Sequence, residues 1–164
     1  MEAYTIKDNK TSIKATEKIS GSEAIVRCLI EEDVKIIYGY PGGAIMPVYD
    51  ELFKYQDKIH HVLTRHEQGA IHAAQGFARV TGKVGMVFAT SGPGATNLVT
   101  GIAQAKAAFS PVVAIAGSYS TKDKMEDAFQ GLDQQSLFTP ITKKTWTVKN
   151  SKIIPKVISD AFNL

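Results

Sequence analysis

Few residues in this chain have the types and spacing that chemistry needs. The stretch LTRHEQGAIHAAQGFARVTG holds one acid, Glu67, between a histidine and a run of small residues: Gly69, Ala70, Ala73, Ala74 and Gly76. One apolar segment later comes TSGPGATN, a Gly-Pro-Gly turn. An acid where a helix begins has two readings. It can stabilise the first turn by facing the positive end of the helix dipole. It can also be a partly desolvated carboxylate aimed at a ligand, with the small residues letting another surface come close. The residues alone leave both open.

Other chemistries fit less well. SGPGATN lies between a strand and a helix, as a dinucleotide fingerprint would. However, Asn97 stands where Gly or Ala is wanted, and the next strand ends in Gly117-Ser118 with no acid for a ribose. Gly82-Lys83 is followed by Val84, so the Ser or Thr of a phosphate loop is missing. By themselves the glycines of the turn only permit a tight reversal. His60, His61, His66 and His72 lack metal-ligand spacing: Ala70 occupies the place of the second histidine of a zinc-protease helix, and His72 falls on another face. They read as packing or hydrogen-bonding residues, with no metal ligands among them. Cys28 lies on the apolar side of the first helix and reads as a core residue. Ser91 has no nucleophile-elbow context.

These residues need elements to position them. Ser20 and Ser22 are N-cap candidates for a helix through EAIVRCLIEED, whose Ile25, Val26, Leu29 and Ile30 share a face. VKIIYGY reads as a buried strand and PGGAIMPVYDELFKY as a turn and short helix. HHVLTR is a second strand, HEQGAIHAAQGFARVTG a helix stopped by Gly82, and VGMVFAT a third strand. GATNLVTGIAQAKAAF reads as one helix opened by the glycine turn, and PVVAIAG as a fourth strand. A polar stretch over 118–135 precedes a possible strand near KKTWTV and a helix through SKIIPKVISDAF. Strand and helix alternate with short connections, and the strands are nearly continuous apolar runs. This predicts an α/β fold: a doubly wound, mostly parallel sheet with helices on both faces. In such folds functional groups gather at the C-terminal strand ends, here 39–43, 65–68, 90–94 and 117–120.

Composition narrows the class. The net charge is +3 with scattered lysines, unlike the basic stripe of a nucleic-acid binder. No apolar run reaches membrane-span length. One cysteine excludes an intrachain disulfide and fits a reducing, cytoplasmic setting. Residues 1–19 read as a polar, flexible lead-in without a signal core, and 20–164 as one domain. The last residues, ISDAFNL, fall inside a helical pattern, so the expectation is a piece of a longer, multidomain subunit.

GYPGGAIMPVYDEL, RHEQGAIHAAQGFARVTGKVG and ATSGPGATNLVTGIA resemble, in order and spacing, the large catalytic subunit of the acetolactate (acetohydroxyacid) synthases. These enzymes depend on thiamine diphosphate. The resemblance runs from about Ile19 to Leu164 and identifies the chain with the family's pyrimidine-binding (PYR) domain. It implies that Glu67 is the catalytic carboxylate that hydrogen-bonds N1′ of the cofactor's aminopyrimidine and shares a proton with it, so that the neighbouring amino group can take the proton from thiazolium C2. It implies that Tyr40, Pro41, Gly42 and Gly43 form a loop beside the cofactor. Pro93 and Asn97 would contact its pyrimidine side, and Gln130 would also lie against it. Phe129, Gly43 and Pro93 would lie near the substrate. It also implies 2-keto acid substrates (pyruvate, 2-ketobutyrate) and a homodimer or tetramer with the site between subunits, with a small regulatory subunit as a further partner. Mg²⁺ and FAD would be held mainly outside this chain, since no Gly-Asp-Gly motif with a downstream Asn is present. The chain by itself would be inactive.

The pattern departs from the family late in the chain. Gly117-Ser118 replaces Gly-Gln, Gly131 replaces the acid after DAFQ, and GLDQQSLFTPITKK differs before Thr142-Lys143. These departures bear on substrate more than cofactor. They keep open another thiamine-diphosphate enzyme, such as a sulfoacetaldehyde acetyltransferase, or a decarboxylase encoding its PYR domain as a separate chain.

Overall fold

The computed structural model describes residues 18–120 and 128–164. The lead-in expected over 1–19 lies outside the described residues except for Lys18 and Ile19. Ile19 is buried in the core.

Four short strands form one parallel sheet: β1 (Ile36–Gly39), β2 (His60–Leu63), β3 (Gly85–Ala89) and β4 (Val112–Ala116), in the order β2-β1-β3-β4. The doubly wound α/β expectation holds, and so do the four strands read from apolar runs. From β1 the chain moves outward to β2, then returns across β1 to place β3 on its other side. The direction of winding therefore reverses between β1 and β3, and a crevice opens at the C-terminal ends of these two strands.

Seven helices cover the sheet among the described residues. On one face lie α1 (Gly21–Glu31), α2 (Met46–Lys54) and α7 (Ile154–Phe162). They bury Val26, Leu29, Val48, Leu52, Ile154 and Ile158 against Ile37, Met86 and Phe88. On the other lie α3 (Glu67–Thr81), α4 (Pro93–Thr96), α5 (Val99–Ala107) and α6 (Gln134–Phe138), with Ala70, Ile71, Ala74, Leu98, Ile102 and Phe138 against Val87 and Ala89. The side chains of β3 alternate between these two cores, as the two-residue period of a strand requires. All five of its residues are buried, which is why the strand reads as a continuous apolar run.

The caps follow the sequence closely. Ser20 is the N-cap of α1, its hydroxyl accepting from the Glu23 amide at 3.0 Å, and Gly82 ends α3 at φ 70°. Cys28 is buried, and desolvation raises its thiol pKa to about 11, as suits a core residue rather than a nucleophile.

Two expectations change. The helix expected over GATNLVTGIAQAKAAF is divided into α4 and α5. At the junction the Leu98 amide bonds to Ala95 only three residues back, tightening the turn before the Ile102 amide resumes the helix on Leu98. The stretch KKTWTV is not a strand: no ladder reaches it among the described residues, and propensity alone does not hold a strand that has no partner. The segment GLDQQSLFTPITKK, which begins within the polar stretch read over 118–135, contains α6 and a 3₁₀ turn at Thr139–Ile141. Asp133 caps α6 by accepting from the Ser136 amide at 3.0 Å.

Candidate functional site

Glu67 is the first residue of α3 and follows β2 after the short link 64–66. The exit of β2 is tied to β1 by the Thr64 amide and hydroxyl, which donate to the Gly39 carbonyl at 3.0 and 3.3 Å. His66 is extended and caps α3, its Nδ1 accepting from the Gln68 amide at 3.1 Å. With the chain held on both sides, Glu67 turns inward and is only 6% exposed. Its Oε2 accepts from Asn97 Nδ2 at 2.9 Å. No cation pairs with it among the described residues, and no hydrogen bond is made to Oε1. Oε1 instead faces Gly94, where an added Cβ would lie 3.1 Å from it. A helix-start acid that served only the dipole would sit in solvent, and this one does not.

The second part of the site is a cleft of about 400 Å³ at the ends of β1, β3 and β4. It is lined by Gly42, Gly43, Thr90, Ser91, Phe129 and Gln130, together with residues 118–120. Phe129 is 89% exposed at its mouth. Asp127, quoted with these two in DAFQ, lies outside the described residues. The structure thus brings Glu67, Asn97 and Gly94 into one group, and Gly42, Gly43, Phe129 and Gln130 into another. Tyr40 and Pro93 are exposed and, with Pro41, stand outside the lining of the cleft.

Thr90, the residue between the two groups, was not singled out from the sequence. Its side chain meets the positions where a Cβ would stand on both Gly42 and Gly94, and its hydroxyl accepts from the Ala44 amide at 3.3 Å. The available signal was its place at the end of β3, immediately before the glycine turn. Ser91, weighed in the sequence only as a nucleophile, and Tyr119 and Ser120 of the 117–120 strand end were given no place in the site but line the cleft.

Tyr49 of α2 reaches under the site. Its hydroxyl is buried, has no hydrogen-bond partner among the described residues, and lies against Gly39. Burial first, and then the charge of Glu67, push its ionisation well above the usual tyrosine range. The His61 ring packs edge-on against it at 4.9 Å. Burial lowers the His61 pKa, with a backbone hydrogen bond at Gly39 acting in the other direction. A histidine whose folded pKa lies below its unfolded value favours the fold while neutral. That contribution is present above about pH 6.5, the ordinary histidine value, and is lost as pH falls through the folded pKa. Thermal melts between pH 7.5 and 5 should therefore show a smaller acid-side loss for His61→Gln than for the parent. Equal losses would exclude His61 as a contributor.

The group can hold a proton at a ring nitrogen. A buried carboxylate with one oxygen fixed by an amide leaves the other for a neutral or protonated heterocycle. Glycine at 42 and 94 lets both loops pack closely on Thr90, and at 94 beside Glu67 Oε1, while an added Cβ at Gly43 would meet nothing within 4 Å. These features suit a flat base beside Glu67. No cluster of His, Cys, Asp and Glu able to hold a metal ion occurs among the described residues, and no helix among them is long and apolar enough to cross a membrane.

Comparison with known proteins places the chain in a family. Residues 19–137 match the family model for the thiamine pyrophosphate enzyme, N-terminal TPP binding domain. The chain is 53% identical over 146 residues, 89% of its length, to a probable acetolactate synthase large subunit of Methanocaldococcus jannaschii. It is 50% identical over 150 residues, 92% of its length, to the acetolactate synthase large subunit of Corynebacterium glutamicum. It is 44% identical over 161 residues, 97% of its length, to an acetolactate synthase of Arthrospira platensis. The matched part makes up 24%, 24% and 27% of these relatives, so the chain spans about a quarter of their length.

Proposed function

The chain belongs to the thiamine pyrophosphate enzymes as their N-terminal TPP-binding domain, and from that premise we propose that it forms the pyrimidine side of the cofactor site in an acetolactate synthase. The complete protein would decarboxylate pyruvate and join the two-carbon unit to a second 2-keto acid. The observation that carries this reading is Glu67, a buried carboxylate without a cation partner among the described residues, held by Asn97 and facing Gly94.

Thiamine diphosphate, when bound, supplies the carbanion-stabilising chemistry that attack on a 2-keto acid requires. The chain supplies placement and proton control. Glu67 would hold the proton at the pyrimidine ring, with Asn97 fixing its rotamer through Oε2. Glycine at 94 keeps a side chain from crowding Glu67 Oε1, and Tyr40, Pro41, Gly42, Gly43 and Pro93 would lie beside the bound cofactor. Gln130 and Phe129 stand across the cleft, where a 2-keto acid would enter. Burial keeps competing water from the carboxylate and strengthens each polar contact it makes.

On this reading residues 20–164 are the PYR domain of a cytoplasmic homo-oligomer. The Mg²⁺, diphosphate and FAD contacts come from further domains, and the exposed Tyr40, Met46 and Phe129 lie on a face covered by a partner subunit. The test is an assay of the complete protein with thiamine diphosphate and Mg²⁺, offered pyruvate alone, pyruvate with 2-ketobutyrate, and sulfoacetaldehyde with phosphate. Acetolactate from pyruvate is expected. Turnover confined to sulfoacetaldehyde would overturn the substrate assignment.

A further inference from the structure

We propose that Thr90 is a positioning residue that couples the 42–44 loop to Glu67 through two different parts of one side chain. The inference rests on the cofactor-side reading of Glu67 given above. Thr90 directly follows β3 at the point where the winding of the sheet reverses, and it is 8% exposed. Its hydroxyl accepts from the Ala44 amide at 3.3 Å, across the crevice between β1 and β3. Its Cγ2 methyl would stand 2.6 Å from a Cβ on Gly94, whose other close neighbour is Glu67 Oε1 at 3.1 Å. A Cβ on Gly42 would lie 2.5 Å from Thr90 Cβ and 2.8 Å from Oγ1.

Glycines in two separate loops are thus both shaped to the same threonine. The hydroxyl side anchors the loop that walls the cleft. The methyl side backs Gly94, and Gly94 backs the carboxylate oxygen that Asn97 does not hold. Among the described residues, Thr90 both lines the cleft and meets Gly94 beside Glu67.

The two functions separate by substitution. Thr90→Val keeps the shape and the methyl but gives the Ala44 amide no acceptor. Thr90→Ser keeps the acceptor but leaves a methyl-sized gap behind Gly94. In the complete protein without cofactor, mass-spectrometric hydrogen exchange of the peptide spanning residues 41–46 should be about fivefold faster in Thr90→Val than in the parent, the loss of one ordinary hydrogen bond, and unchanged in Thr90→Ser. With cofactor, Thr90→Val should raise the apparent Kd for thiamine diphosphate about fivefold with kcat within twofold. Thr90→Ser should lower kcat about five- to tenfold with Kd within twofold, because a loosened Glu67 moves off its proton-sharing geometry.

Unchanged loop exchange in Thr90→Val overturns the anchoring half. Parent-like kcat in Thr90→Ser, or equal loss of Kd and kcat in both variants, overturns the coupling. Failure of the parent protein to bind thiamine diphosphate would instead overturn the cofactor reading, and the exchange measurement would still report on the anchor.

Discussion

In the complete protein, Glu67→Gln should lower turnover by about 10²–10⁴-fold while leaving thermal stability unchanged or slightly raised. The substitution keeps the side-chain shape, and its carbonyl oxygen still accepts from Asn97 Nδ2. What it loses is the capacity to exchange a proton with a ring nitrogen, and general acid–base assistance is worth about that factor. The stability expectation follows from burial. A carboxylate that is 6% exposed and has no cation partner among the described residues carries a desolvation cost that a neutral amide avoids. This offsets the dipole contribution of about 0.3–1 kcal/mol lost from the first turn of α3. Turnover with pyruvate, a thermal melt, and NMR exchange of the C2 proton of bound cofactor check the three parts. Parent-rate exchange in Glu67→Gln would return the residue to a purely structural role.

Phe88→Ala should have the opposite signature, with stability lost first. Phe88 is fully buried in the central strand β3 and packs edge-on against Tyr49 at 5.8 Å. Truncating a buried phenylalanine costs about 3–5 kcal/mol, against a total of about 5–15 kcal/mol for a typical domain. Denaturant unfolding followed by circular dichroism should show a loss in that range. Phe88→Leu, which keeps most of the volume, should cost less than about 1.5 kcal/mol. A loss below about 1 kcal/mol for the alanine variant would mean that the core under the site collapses to fill the gap.

The sequence exposed those parts of the fold that local pattern encodes. β3 is legible because all five of its residues are buried, and α3 because His66, Glu67 and Gly82 mark its ends. The acid was legible as a candidate, but its burial was not, because burial depends on Asn97 and Gly94 arriving from thirty residues away in the chain. The break between α4 and α5 was hidden because GATNLVTGIAQ has no breaker at Asn97–Leu98, where three-dimensional packing tightens the turn. KKTWTV shows the converse: a strand-like composition without a partner ladder among the described residues. Thr90 carries no chemistry that stands out in a sequence. Its role arises only where two glycine loops from β1 and β3 meet.

The strand order also has a consequence for how the chain acquires its shape. β1 can pair with β2 soon after both exist, since a single helix, α2, joins them. Its other edge must wait for β3, and Ile37 meets Met86 only after α2, β2 and α3 have all been made and folded back. Closing so long a loop is entropically costly, and contacts of this range slow folding. During that interval β1 carries an open, apolar edge, which makes the half-formed sheet the species most exposed to wrong partners as the chain leaves the ribosome. The loops 39–43 and 90–94 flank this long-range ladder, so the site cannot form before β1 and β3 have paired, and β4 then closes the sheet on the far side of β3.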